Sequence, residues 1–213
     1  MRIILIGPPG AGKGTQAAAV KSRFPVDHIS TGDILRENVR AGSPLGIEAK
    51  KFMDSGTLVP DALIIEMMRE RLAKNSADGF MLDGFPRTVA QAEALDELTK
   101  EMSMPLDAAI LLEVPDETVV KRLCGRRVCS SCGAIFHVTG NPTAVEGICD
   151  VCSEPVVQRD DDREEVIRRR LSVYHRDTAP LAEYYEKSGL LRRVDASGPF
   201  DAVKSRLESA GLS

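Results

Sequence analysis

Apolar and polar positions along this chain fall into alternating blocks of two kinds. Short, almost wholly apolar runs occur at Arg2–Ile6, Gly79–Leu82, Ala108–Val114 and Leu190–Val194, with a weaker one at Asp27–Ile29. Between them lie Lys13–Phe24, Ile34–Ala41, Pro44–Ser55, Asp61–Lys74, Val89–Lys100, Asp116–Cys124, Glu164–Tyr185 and Pro199–Ser209, which read as helices. Apolar runs of this length predict buried strands, and apolar residues three and four apart predict helices. Their alternation predicts an α/β fold, a mainly parallel sheet covered by helices on both faces. Ligands in such sheets sit beyond the carboxyl ends of the strands, where residues 7–15, Asp83 and Asp195 fall. The segment from about Arg126 to Asp162 breaks the rhythm and reads as an inserted module, carrying Pro142, Pro155 and four of the five cysteines. In the helix after it, Ile167, Leu171, Tyr174, Leu181 and Tyr185 predict a core stripe. Arg168 and Arg169 are expected to face solvent as partners of Glu164 and Glu165.

Residues 7–15, GPPGAGKGT, join the first strand to the first helix and have the layout of a phosphate-binding loop. Gly7, Gly10, Gly12 and Gly14 let backbone N–H groups turn toward an anion. The helix that follows aims its positive end at the same point, and Lys13 adds a point charge. The stretch Gly7–Lys13 fits the pattern G-x-x-x-x-G-K, but Gly14 stands where the general pattern has Ser or Thr, with Thr15 one place later. The 213 residues, 43% of them hydrophobic, suffice for one α/β core with a small insertion. A net charge of −4 argues against a general nucleic-acid binder, which needs a clustered basic surface. The first apolar run is too short for a signal-peptide core, and no stretch is long enough to span a bilayer, so a cytoplasmic location is expected.

Cys129-x-x-Cys132 and Cys149-x-x-Cys152 are 16 residues apart, the spacing of a zinc ribbon. Four thiolates would make a closed tetrahedral site, hence a structural metal. The alternative is two disulfides or unligated thiols, which a reducing compartment disfavours. His137 could be a ligand only by displacing a cysteine, and Cys124 reads as packing on its helix. Arg36, Arg87, Arg122, Arg126, Arg127, Arg159 and Arg170 mark a set suited to phosphate, since the guanidinium fork donates two hydrogen bonds at once. Asp162 has two readings, a helix cap or, within the cluster Asp160-Asp161-Asp162, part of a charge lock with arginines. Asp83 likewise could hold magnesium, cap a helix or form an ion pair. His28, His137 and His175 are scattered, and no nucleophile–base set emerges. Phosphoryl transfer needs none.

With these residues in view, the chain resembles the adenylate kinases in their long bacterial form with a zinc-bearing lid. The resemblance rests on GPPGAGKGT (7–15), ISTGDILR (29–36), GTLVPD (56–61), GFMLDGFPRT (79–88), GRRVCSSCG (125–133), RDDD (159–162) and the arginine helix reaching Arg170, and so covers essentially the whole chain. It implies a three-layer αβα core with a five-stranded parallel sheet of order 2-3-1-4-5, formed by residues 1–29, 60–125 and 163–213. A helical monophosphate clamp over 30–59 and a small zinc-binding β lid over 126–162 would be inserted in it. It implies transfer of a phosphoryl group from ATP to AMP giving two ADP, with magnesium. The implied ATP site is Gly10, Ala11, Gly12, Lys13, Gly14 and Thr15, with Arg126, Ile135, Phe136 and the backbone of Gly198. The implied AMP site is Thr31, Arg36, Thr57, Leu58, Val59, Gly84, Phe85, Pro86, Arg87 and Gln91, with Arg159 and Arg170. Lys13, Arg87, Arg122, Arg126, Arg159 and Arg170 would neutralise the transferring group, Asp83 would anchor the magnesium water shell, and Cys129, Cys132, Cys149 and Cys152 would hold zinc. Asp161 and Asp162 are the family's acidic pair, whereas Asp160 stands where the family often has a non-acidic residue. Cys152 replaces an Asp, and Gly198 a Lys, found in some relatives. A monomer is implied.

Two rivals remain at this level. One is a kinase for UMP, CMP or GMP. The other is a zinc-ribbon nucleic-acid-binding module switched by ATP, which the acidic balance and the lack of aromatic–basic interleaving oppose. A regulatory GTPase would need an Asn-Lys-x-Asp motif, which the chain lacks.

Overall fold

The computed structural model describes residues 1–21, 25–74 and 79–210. In chain order the elements are β1 (Arg2–Ile6), α1 (Lys13–Lys21), β2 (Asp27–Ser30), α2 (Thr31–Ala41), α3 (Pro44–Ser55) and α4 (Asp61–Ala73). There follow β3 (Phe80–Asp83), α5 (Val89–Glu101), β4 (Ala108–Glu113), α6 (Asp116–Cys124), β5 (Arg126–Cys129), β6 (Ile135–His137) and β7 (Val156–Val157). The chain continues through α7 (Glu164–Val173), α8 (Leu181–Lys187), β8 (Leu191–Asp195) and α9 (Phe200–Ser209). Among the described residues the main sheet is parallel, in the order β2-β3-β1-β4-β8. Counting core strands alone, this is the expected 2-3-1-4-5.

The apolar runs explain the layering. In β1, Ile4 and Ile6 face the side covered by α2, α3, α4, α5 and α8, while Ile3 and Leu5 face α1 and α9. β4 divides in the same way, with Ala109 and Leu111 on the first side and Ile110 and Leu112 on the second. A strand covered on both faces must be apolar at every position, and Ile3–Ile6 are each at most 2% exposed. A third cluster joins α6 to α7 through Val119, Leu123, Ile167 and Leu171.

Between β2 and α4 the chain leaves the sheet as the helical pair α2–α3. Ser30 caps α2 by accepting the Asp33 N–H, so the helix begins three residues before its apolar periodicity does. Gly46 lets the two helices cross closely, since a Cβ there would lie 2.1 Å from the Asn38 carbonyl oxygen. The cysteine-bearing insertion folds as a small antiparallel sheet in the order β6-β5-β7.

Three expectations need correction. The run Glu164–Tyr185 is not one helix: α7 loosens into a π-helical stretch at Tyr174–Thr178, and α8 starts after Pro180. Proline lacks the N–H and collides with the carbonyl four residues back, which breaks the ladder. Ile167, Leu171, Leu181 and Tyr185 are buried, but Tyr174 is only half-buried. Arg168 does pair with Glu164, and with Glu117, whereas Arg169 leaves Glu165 and donates to the Ser55 carbonyl at 2.9 Å. The end of the first expected helix, residues 22–24, lies outside the described residues.

Candidate functional site

The loop between β1 and α1 forms the floor of a cleft of about 620 Å³ at the carboxyl ends of the strands. Its glycines are dictated by space as well as by backbone angle. Gly7 has φ +149, and a Cβ there would lie 2.7 Å from the Leu112 carbonyl oxygen. At Gly10, φ +74, a Cβ would lie 2.8 Å from Leu123 Cγ. Side chains would push the loop away from the sheet and lift its N–H groups off any bound anion. Lys13 curls over the loop, its Nζ donating to the carbonyls of Gly7 at 2.7 Å and Pro8 at 2.8 Å. Burial in the cleft lowers its pKa to about 8, Asp83 opposing and the cations of Arg87, Arg170 and Arg126 adding to the shift.

Those cations come from different elements. Arg36 comes from α2, Arg87 from the turn after β3, Arg122 from α6, Arg126 from β5, Arg159 from the end of the small sheet and Arg170 from α7, and all line the cleft. Burial, then the neighbouring Arg170, lowers the Arg87 pKa to about 10. Burial, then Arg36 and Arg126, does the same for Arg159. Mutual repulsion of this kind is relieved by a multivalent anion. The Arg159 carbonyl accepts the Asp162 N–H at 3.0 Å, but its side chain makes no hydrogen bond among the described residues, which leaves its fork available. Arg127, in contrast, turns back to the carbonyls of Cys124 and Arg126. Arg122 is partly committed, donating to the carbonyls of Ala196 at 3.0 Å and Gly198 at 3.3 Å.

Acidic side chains hold this set in place. Asp162, fully buried, receives Arg126 through both nitrogens of its fork, at 2.8 and 2.6 Å, and Asp161 receives Arg170 at 2.8 Å. Asp162 therefore acts in the charge lock, and α7 is capped by Arg163 without a side-chain bond. Asp160 pairs with Arg163 instead. The turn Asp160–Asp162 packs on α3, so the small sheet and the helical pair meet across the cleft. Asp83 lines the cleft at the end of β3, with Oδ2 3.6 Å from His28 Nε2.

The opposite end of the cleft is lined by Thr31, Thr57, Leu58, Val59, Gly84, Pro86 and Gln91. Thr31 donates to the Gly84 carbonyl at 2.9 Å, and Thr178 Oγ1 donates to that of Arg87 at 2.8 Å. Phe85 departs from expectation: its side chain is 2% exposed and packs in the core, which leaves only its backbone for a ligand. On the loop side Gly10, Ala11, Gly12, Gly14, Thr15, Ile135, Phe136 and Gly198 reach the cleft, joined by Phe200 and Val203 of α9. Phe200, which sequence reasoning missed, is a large apolar side chain left 43% exposed at the rim. Sequence reasoning also missed Thr178, hidden inside a supposed continuous helix.

The four cysteine sulfurs all lie within 4.8 Å of one another, with Cys129–Cys152 at 3.4 Å and Cys132–Cys149 at 3.6 Å. A tetrahedral zinc with Zn–S near 2.3 Å sets sulfurs about 3.8 Å apart, so the cage fits that ion. The Cys132 backbone N–H hydrogen-bonds the Cys129 sulfur and lowers its pKa to about 6. Although a backbone bond from Glu154 pulls the other way, the crowding sulfurs of Cys129 and Cys132 push Cys152 up to about 12, a conflict that a cation resolves. His137 stands apart, its Nδ1 accepting the Gly140 N–H at 3.1 Å.

A glycine loop with its lysine, ringed by arginines from three parts of the chain, defines a nucleotide-dependent phosphotransferase of the phosphate-loop class. Comparison with known proteins gives the family: the adenylate kinase model matches residues 5–190. The adenylate kinase of Caldicellulosiruptor bescii is 54% identical over 216 residues, covering 100% of both chains. Those of Ruminiclostridium cellulolyticum, 51% identical over 99% of each chain, and Clostridium botulinum strain Loch Maree, 52% over 95% of this chain and 94% of its own, agree. The chain belongs to the adenylate kinase family, and its reaction is phosphoryl transfer from ATP to AMP giving two ADP.

Proposed function

We propose that each nucleotide occupies one end of the cleft, ATP on the glycine loop and AMP against α2 and α5, with the arginines between them. The observation that carries this is the convergence of Lys13 and six arginines on one cleft with a glycine loop at one end only. Residues Gly10–Thr15, Lys13, Arg126, Ile135, Phe136 and the Gly198 backbone hold ATP. Thr31, Arg36, Thr57, Leu58, Val59, the 84–87 turn and Gln91 hold AMP. Arg87, Arg122, Arg159 and Arg170 spread charge over the transferring phosphoryl, where fixed donors in a dry site count most. Residues 30–59 act as a clamp and 126–162 as a lid on a core of 1–29, 60–125 and 163–213. Their closure excludes water as a competing acceptor.

Asp83 fits a magnesium water shell, since its carboxylate faces the cleft and takes no hydrogen bond among the described residues. Bound there, the ion would neutralise phosphate charge. Zinc in the four-cysteine cage would be structural. No described helix is long and apolar enough to cross a membrane. We read the protein as a cytoplasmic monomer: reduced thiols suit the metal cage, and the family resemblance implies a single chain. Purified protein given MgATP and a panel of monophosphates in a coupled assay should use AMP at least about a hundredfold better than UMP, CMP or GMP. Preference for another member of the panel would overturn the assignment of the AMP end.

The Lys13 shift makes binding depend on pH. Burial disfavours the charged amine, so the free protein loses this proton as pH rises through about 8. A bound phosphate favours the charged form. ATP affinity is therefore full below that pH and should fall above it, by about tenfold per unit at most, with proton uptake on binding. Calorimetry at pH 8.5 in buffers of different ionisation enthalpy measures the uptake. Equal uptake in Lys13→Met would assign it to another group.

A further inference from the structure

Asp61 opens α4, where an acidic residue is accounted for by the helix dipole alone. Its carboxylate does more, reaching across to the start of α5. Oδ1 accepts from Gln91 Nε2 at 2.7 Å, and Oδ2 accepts from Thr88 Oγ1 at 2.9 Å. Thr88 in turn caps α5 by accepting the Gln91 N–H at 3.2 Å. At its other end Gln91 Oε1 accepts the Arg87 backbone N–H at 2.8 Å. A backbone N–H can only donate and a carboxylate only accepts. Together they decide which end of the Gln91 amide is oxygen and which is nitrogen. Gln91 is 2% exposed and lines the cleft. One N–H and one oxygen lone pair of its amide have no partner among the described residues.

We propose that Asp61 is a positioning residue for acceptor specificity, holding the Gln91 amide in the sense that matches a 6-aminopurine. The inference rests on the reading of Gln91 as a contact to the acceptor base. Adenine offers a donor at its 6-amino group beside an acceptor at N1. Hypoxanthine has the same shape with the two reversed, an acceptor at position 6 and a donor at N1. With sugar and phosphate gripped by Arg36 and Arg87, an amide of fixed sense pairs with the first base and leaves unpaired groups against the second. To suit hypoxanthine the amide would have to flip. Its NH2 would then meet the Arg87 N–H, and its oxygen would meet the Asp61 carboxylate. Those two conflicts reject the wrong base, and Asp61 supplies one of them.

The test compares AMP with IMP as acceptors for the wild type, Asp61→Ala, Asp61→Asn, Thr88→Val and Gln91→Leu, recording kcat and KM for each acceptor and KM for ATP. In Asp61→Ala the AMP-to-IMP ratio of kcat/KM should fall about tenfold, one hydrogen bond's worth, with KM for ATP unchanged within about twofold. Asp61→Asn keeps an acceptor oxygen for Gln91 and should retain most of the ratio. Thr88→Val, which frees the carboxylate at one end, should lower it less than Asp61→Ala does. The ratio compares two acceptors on one folded population, so a loss of folded protein does not move it. If Gln91→Leu loses the selectivity while Asp61→Ala and Thr88→Val keep it, Asp61 has no positioning role. If Gln91→Leu keeps it too, the assignment of Gln91 to the base is wrong, and this inference falls with it.

Discussion

Lys13→Met is expected to lower kcat by about a thousandfold while leaving the fold at least as stable as before. The catalytic loss follows from where the amine sits. Its Nζ is tied to the Gly7 and Pro8 carbonyls at 2.7 and 2.8 Å, so the charge is fixed over the loop before any nucleotide arrives. A preorganised donor of this kind is worth about 3–4 kcal/mol in the transition state. The stability expectation follows from the same burial. Lowering the pKa from 10.5 to about 8 means that the fold works against the charged amine, with Arg87, Arg170 and Arg126 adding repulsion. Methionine keeps the stem and discards the charge, so the melting temperature should stay level or rise. Steady-state kinetics beside a thermal melt decide the matter. A kcat within tenfold of wild type would remove Lys13 from the mechanism, and a collapsed melting curve would make it a structural residue.

That trade between stability and charge bears on what the sequence could reveal. The α/β rhythm was legible because strands covered on both faces must be apolar throughout, and Ile3–Ile6 and Ala108–Leu112 meet that demand. The glycine loop was legible because its spacing is set by backbone geometry at Gly7 and Gly10. The break between α7 and α8 was hidden, since Ile167, Leu171, Leu181 and Tyr185 keep their period across it while Pro180 ends the ladder. The strands of the small sheet have two to four residues, too few for a period to show. Phe85 sits inside a motif of cleft residues, yet it lies past the end of β3, where Gly84 at φ +81 breaks the strand's alternation, and its ring packs in the same core cluster as Phe80 and Leu82. Asp61 was the deepest omission. An acid in the first turn of a helix is what the dipole favours, so nothing in the sequence separates that role from a bond to residues 27 and 30 positions away.

Stripping the zinc proposed for the four-cysteine cage is expected to melt the small sheet and disable ATP binding together. Among the described residues its buried apolar side chains are Val128, Cys129, Phe136 and Cys149, with Ala134, Cys152 and Val156 partly covered. Val138, Val145, Ile148, Val151 and Val157 remain at least 43% exposed, so little apolar burial is available to hold three short strands together. A core this small does not offset the entropy of ordering the chain around it, whereas a structural zinc contributes about 10–16 kcal/mol to isolated finger peptides. Cys149→Ser leaves an incomplete cage around a 1% exposed position. Its melting temperature should fall by about 10 °C, the shift that a loss of about 3–4 kcal/mol gives a chain of this size. Arg126 and Arg159 are carried by the ends of this same sheet, and Phe136 is shared between its core and the cleft. KM for ATP should therefore rise with the loss of metal, and KM for AMP should change less. Wild-type protein should carry one zinc per chain by elemental analysis, and a chelator strong enough to strip it should reproduce the mutant melt. Unchanged melting of Cys149→Ser would mean that the lid is held by its hydrogen bonds alone. Metal loss without any change in KM for ATP would separate the cage from the placing of Arg126 and Arg159.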